Sequence, residues 1–214
     1  VTRVQLRPVR TEAEEVTFYE GRYPLGYRHD RWPDHVERVA ASVDLIRRYS
    51  GRIRTAADLS CGDAAILRGI DDLLEQAYVG DLIGARGDYP LRTHVRVLEP
   101  GPLPDSLAGF QDIPGRSLPV DLFILSETLE HVPDPDGLLQ KLTGVSRYLF
   151  LSTPLDEAAS VGNEEHYWGW GQSDIHHMLW EAGWSPLEVR LLVPESTRHM
   201  DNAYTYQLWM AVAR

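Results

Sequence analysis

Cysteine is almost absent: Cys61 stands alone in 214 residues, so no internal disulfide can brace the fold. No apolar run approaches the ~18 residues of a membrane span, and the amino end shows no secretory signal. A soluble cytoplasmic protein with no membrane partner is therefore the expectation. Basic residues are in deficit, 21 against 32 acidic, and the resulting net charge of -11 repels polyanions at long range. That disfavours a nucleic-acid partner, although it leaves room for a local basic patch. There is no internal repeat, low-complexity tract or linker. The length suits one domain with a full core and is too short for two comfortable ones. Residues 1–214 are accordingly expected to form a single domain, with an N-terminal flap and helix over 1–50 and a core sheet over 53–214. Oligomeric state is not legible.

The present features begin with an aromatic and arginine-rich segment up to Trp32 that shows no sustained period and reads either as a lid packing over a pocket or, the favoured reading, as an irregular flap over one edge of the core. From Pro33 the steps Val36, Val39, Ala40, Val43 and Ile46 predict a helix, opened by proline and stopped by a left-handed glycine at Gly51. Short apolar strands follow at 55–59, 77–80, 95–98, 122–125 and 146–152. Helical runs separate them at 65–74, 103–110 and 137–142, and a crossover carrying Gly84, Gly87 and Pro90 is expected to be irregular, as is the loop with Pro114. A helix capped by Ser173 and two adjacent strands, 187–193 and 204–212, complete the chain. Strands alternating with helices, closed by such a pair, predict an α/β fold. Its sheet would be Rossmann-like, seven-stranded and mostly parallel, with a C-terminal antiparallel pair.

A strand, a tight glycine turn at Ser60 to Ala64, a helix and then an acid ending the next strand form a recipe for a nucleoside cofactor. Asp81 follows Gly62 at about the 20-residue distance that recipe uses. Asp58 and Asp63 flank the turn and would repel a pyrophosphate, whereas a cationic sulfonium with a free amino group suits them. That description fits S-adenosylmethionine. A nicotinamide enzyme and a non-catalytic binding module are the rivals of other classes.

At Asp58-Leu59-Ser60-Cys61-Gly62-Asp63-Ala64 the chain resembles the class I S-adenosylmethionine-dependent methyltransferases, with Ser60 and Ala64 in place of two usual glycines. Leu129-Glu130-His131-Val132-Pro133-Asp134-Pro135 and Leu151-Ser152-Thr153-Pro154 are also common there, so the resemblance covers about residues 53–193. It implies that Asp58 and Gly62 line the methionine end of the cofactor. It places the ribose on Asp81 and the adenine near Glu99 to Gly101. Ser60, Asp63 and Ser126, at the same turn and strand ends, complete the candidate cofactor set.

The run Glu127-Thr128-Leu129-Glu130-His131 follows directly on the apolar strand 122–125, where open α/β sheets hold ligands. If the chain turns helical there, Glu127, Glu130 and His131 share one face. This element, with the later Glu165-His166, resembles small-RNA 2′-O-methyltransferases, and ubiquinone-pathway O-methyltransferases share Glu-x-x-Glu-His. The resemblance implies that Glu127, Glu130, His131 and His166 hold a magnesium or manganese ion. Without a metal, His131 or His166 would be a general base or a pocket wall. His176 and His177 fall in a helix, one expected exposed and one packed, and Trp170 or Trp168 is expected in the core. The acid excess favours a small-molecule hydroxyl or vicinal diol as methyl acceptor, with the 3′ end of RNA as the alternative.

Overall fold

The computed structural model describes residues 3–24, 26–83, 89–113, 119–157, 163–200 and 203–214. In chain order these form β1 (Val4–Gln5), α1 (Glu12–Arg22), α2 (Pro33–Arg47), β2 (Thr55–Asp58), α3 (Ala65–Ile70) and β3 (Gln76–Val79). There follow β4 (His94–Val97), α4 (Leu103–Gln111), β5 (Val120–Ser126), α5 (Pro135–Leu142) and β6 (Ser146–Pro154). The chain ends with β7 (Trp168–Gly169), α6 (Gln172–Glu181), β8 (Trp184–Leu192) and β9 (Tyr206–Ala213). Gly84, Gly87 and Pro114 lie outside the described residues.

The main sheet runs β4-β3-β2-β5-β6-β9-β8, parallel up to β6 and antiparallel at β9 on both sides. The expected seven-stranded, mostly parallel sheet with its C-terminal antiparallel pair is thus present. β5 explains why its sequence is a continuous apolar run: Phe123 and Leu125 pack on one face with α4, α5 and α6, while Leu122 and Ile124 pack on the other with α2 and α3. Strand order reverses at β2, which pairs with β3 on one side and β5 on the other. The crevice at the ends of those strands, beside Asp58 and Ser126, is where this topology leaves room for a ligand.

Several local expectations are corrected. The N-terminal segment is not an irregular flap, because Thr11 and Glu14 form a reciprocal capping box that starts α1. Residues 4–5 pair with 168–169 as a small separate sheet. Helix α2 begins at Pro33 as expected, yet it buries Arg38, Ser42, Leu45 and Ile46 and leaves Val36 exposed. Its end is a 3₁₀ turn at Ser50–Arg52, and Gly51 lacks the left-handed backbone of a glycine stop. Helix α6 is capped at Gly171, whose N–H donates to Asp174 at 2.9 Å, so Ser173 lies inside it. Both His176 and His177 are exposed. Trp170 does join the core.

Helix α1 buries none of its residues fully and is attached through polar contacts, so its stability is local. Replacing Thr11 with Ala should cost α1 about 1 kcal/mol. Amide hydrogen exchange should then accelerate over residues 15–23 while the global urea midpoint stays within error. A global loss with no change in α1 exchange would contradict this account.

Candidate active site

A cavity of about 900 Å³ opens over the ends of β2 and β5 and is roofed by α1 and the segment leading to α2. Ser60, Gly62, Asp81, Ser126, Glu127, His131 and His166 all line it. Asp58 lies beneath the turn instead, accepting the Ser60 N–H at 3.2 Å, and burial helped by Asp81 pushes it up to about 8. Asp81 accepts the Gly62 N–H at 2.7 Å and is raised by burial. Gly62 has φ +55°, and a β-carbon there would lie 2.8 Å from Tyr27 Cδ1. The left-handed backbone favours glycine, and the close approach of the Tyr27 ring leaves no room for a β-carbon unless the ring moves. Ala64, standing where the related motif has glycine, keeps a left-handed φ of 56°.

Besides Asp58, two more of the expected cofactor residues are placed outside the cavity lining. Glu99 is exposed and does not line the cavity. Asp63 faces His29 Nδ1 at 2.6 Å and Arg68 Nη2 at 3.2 Å. Cys61 is buried, and burial first, then Asp58, raises its thiol well above the usual range. That leaves it a small turn residue.

Past β5 the chain does not become an α-helix. Glu127 takes a left-handed φ of 50°, and a 3₁₀ turn at Leu129–His131 follows. The anticipated shared face therefore does not form. Glu127 receives the Ser152 hydroxyl at 2.9 Å, and its raised carboxyl reflects burial opposed by Arg38. Glu130 is wholly buried: Oε2 accepts from Thr153 Oγ1 at 3.0 Å, and Thr153 in turn receives the Trp170 indole N–H at 2.8 Å. Its Oε1 has no hydrogen-bond partner among the described residues and lies 3.9 Å from His131 Nε2. Burial and the neighbouring Glu127 raise the Glu130 carboxyl well above the usual range.

His131 Nδ1 sits 2.9 Å from the Glu165 carbonyl and 2.8 Å from the Tyr19 hydroxyl. A carbonyl can only accept, so the proton is on Nδ1 and the Nε2 lone pair is free. His166 has the same tautomer for another reason: Asn163, whose Oδ1 accepts the Glu165 N–H at 2.9 Å, donates from its NH₂ to Nε2 at 3.1 Å, so the proton is on Nδ1, which faces the Glu157 carboxyl. Burial, then His166, lowers His131 to about 3, and burial lowers His166 to about 4. Both imidazoles are neutral near pH 7. One donor atom each from Glu130, His131 and His166 lies within 4.8 Å of the others. Glu127 is not part of that group, so three of the four expected ligands converge.

Sequence reasoning missed four residues of the site. Tyr19 reaches His131 from α1, and Tyr23, just past the end of that helix, donates to Glu165 at 2.8 Å; the Thr11–Glu14 box was the available signal. Glu157 had none. Arg38 is fully buried at the cavity wall and donates to Ser126 Oγ at 2.6 Å. Its Nε and Nη2 have no hydrogen-bond partner among the described residues.

No family model and no curated protein matches this sequence. Solved structures do. The 1,6-didemethyltoxoflavin-N1-methyltransferase of Burkholderia thailandensis, solved with S-adenosylhomocysteine, is similar over 97% of this chain and 92% of its own, at 13% identity and a TM-score of 0.69. The magnesium protoporphyrin IX methyltransferase of Synechocystis PCC 6803, also with bound S-adenosylhomocysteine, is similar over 85% and 84%, at 16% identity and a TM-score of 0.59. The chain has the class I methyltransferase fold. In this fold the seven strands and the terminal antiparallel pair bring the glycine turn and the Glu130–His131 turn to one end of the sheet.

The Asp63 contact gives a direct check on the turn. Burial works against ionisation, but the hydrogen bond from His29, that residue's charge and Arg68 together hold Asp63 at about 2. The unfolded value is about 3.9. The contact therefore stabilises above about pH 4 and is lost as pH falls towards 2. Carboxyl NMR titration should find Asp63 near 2 in the parent and close to the ordinary value in a His29→Ala, Arg68→Ala double variant. An identical midpoint in both would show that these partners do not hold the turn.

Proposed function

We propose that this chain is an S-adenosylmethionine-dependent methyltransferase that methylates a hydroxyl of a small molecule, assisted by a divalent cation on Glu130, His131 and His166. The observation that carries the metal is the orphaned, buried Glu130 Oε1 beside two neutral imidazoles. An unpaired buried carboxylate is costly to ionise, and a cation is the partner that removes the cost. One carboxylate and two imidazoles suit a borderline ion such as manganese better than magnesium, which prefers oxygen. Bound there, the ion would lower the pKa of a coordinated hydroxyl. A metal-free general base fits less well, because values of about 3 and about 4 lie far below the operating pH that a base should match.

The remaining cavity residues suit the cofactor. Asp81 would accept the ribose hydroxyls, and the unpartnered N–H groups of Arg38 would take the methionine carboxylate. In the transfer the acceptor oxygen attacks the methyl carbon, the S–CH₃ bond breaks, and S-adenosylhomocysteine and a proton leave. Two solved structures with the same fold hold S-adenosylhomocysteine, which supports this cofactor. A nicotinamide role has no such support.

Charge favours a small acceptor over RNA. Of the arginines at the cavity, Arg10 is engaged by Glu15 and the Glu164 carbonyl, Arg22 by Glu165, and Arg38 is buried. A phosphate backbone needs several free basic contacts.

Excess EDTA should abolish methyl transfer to small diols and leave S-adenosylhomocysteine affinity nearly intact by calorimetry, with manganese restoring turnover. Glu130→Ala should behave as the chelated enzyme does. Because the Glu130 carboxyl lies above its usual range, cation binding displaces a proton and weakens as pH falls. Undiminished turnover in EDTA would remove the metal from the reaction. Efficient, strongly salt-sensitive labelling of short RNA would replace the small-molecule acceptor. Asp81→Ala should weaken cofactor binding by about 1.5–3 kcal/mol, whereas calorimetry showing binding of NAD alone would overturn the whole assignment.

A further inference from the structure

His166 is the proposed ligand most distant in sequence from the Glu130–His131 turn, and the residue set against its far nitrogen, Glu157, has as yet no role. Glu157 is buried and sets its carboxylate against His166 Nδ1. Its other oxygen accepts from the Tyr204 hydroxyl at 3.2 Å, and Asn163 joins Tyr204 to His166 Nε2 through two bonds of 3.1 Å. The backbone leading into Glu157 is held by two neighbouring segments. Leu155 N–H donates to the Thr205 carbonyl at 2.7 Å, and Asp156 N–H to the Trp170 carbonyl at 3.0 Å. Gly169 faces the Glu157 carbonyl so closely that any β-carbon there would collide with it. The glycine between two tryptophans thus lets the Glu157 backbone lie against β7.

A carboxylate against one imidazole nitrogen fixes the tautomer and aims the other lone pair, and the loss of such partners costs metal sites about 10–100-fold in affinity. We infer that Glu157 is the positioning residue that holds His166 as the Nδ1–H tautomer with Nε2 directed at Glu130 and His131. As regards the cation this rests on the metal reading above; as regards the tautomer it stands alone. Tyr204 occupies the second oxygen of Glu157 and keeps the carboxylate from rotating away. Asn163 holds the Nε2 side until a ligand displaces it.

The test uses the full chain with two readouts. Manganese binding is followed by electron paramagnetic resonance in the parent, Glu157→Ala and Glu157→Gln. The tautomer of His166 is read in metal-free protein from two-bond ¹H–¹⁵N correlations at alkaline pH, where the Glu157 carboxyl, raised by burial to about 7, is ionised. Calorimetry with S-adenosylhomocysteine checks that each variant is folded. The parent should show Nδ1–H at His166. Glu157→Ala should mix the tautomers and weaken manganese about 10–100-fold, and Glu157→Gln, which keeps an acceptor oxygen, should recover most of the Nδ1–H signal. An unchanged tautomer in Glu157→Ala overturns the proposal, as does parent-like manganese affinity in that variant. If the parent binds no manganese, the metal reading falls and the tautomer decides: a shift in Glu157→Ala supports the positioning role, and none overturns it. Should Glu157→Ala fail to fold, Glu157→Gln decides, with partial weakening of manganese supporting the proposal and parent-like affinity overturning it.

Discussion

Ionised carboxylates cannot be buried together without a cation, and this constraint organises the whole end of the sheet. Glu127 at the cavity wall and Glu130 and Glu157 behind it are all taken out of water, and burial raises each of them. Arg38 answers part of that charge, since Glu127 is its foremost favourable neighbour and Glu130 lies within its field. The two histidines answer none of it, being neutral. A divalent ion between Glu130 and the imidazoles would complete the balance, and the methylsulfonium of the cofactor would add a second positive charge beneath the same roof.

The N-terminal segment makes sense in the same terms. It covers the cavity with hydroxyl-bearing rings whose oxygens meet polar atoms of the site: Tyr19 at His131, Tyr23 at Glu165, and Tyr27 at His35 with 2.6 Å between the atoms. Burial raises all three phenols, so they remain neutral and serve as donors or acceptors without adding charge. In the proposed methyl transfer, a roof built this way would exclude water, a competing nucleophile. It also restricts the acceptor to what fits between the rings and the sheet ends.

The central strands were legible because burial on both faces leaves a plain record, an apolar run such as Leu122 to Leu125 with a change of character at Ser126. That Gly62 and Asp81 meet at one turn was legible because the pairing depends on spacing along the chain. Less could be read where geometry depends on packing. Arg38 looks like a surface residue on a helix until α2 is rolled to bury its polar stripe. The left-handed backbone of Glu127 has no signature in its residue type, so the expected helical face was drawn where a 3₁₀ turn exists. Glu157 meets His166 only because β7 passes close at Gly169. Helix α1 lacks a buried apolar stripe, which left its cap as the single local sign.

The most direct measurement is anomalous diffraction at the manganese edge from crystals grown with manganese and S-adenosylhomocysteine. The account predicts one strong peak between Glu130, His131 and His166, with the cofactor ribose on Asp81 and its carboxylate on Arg38. Density for the cofactor there with no anomalous peak, or with the peak elsewhere, would contradict it.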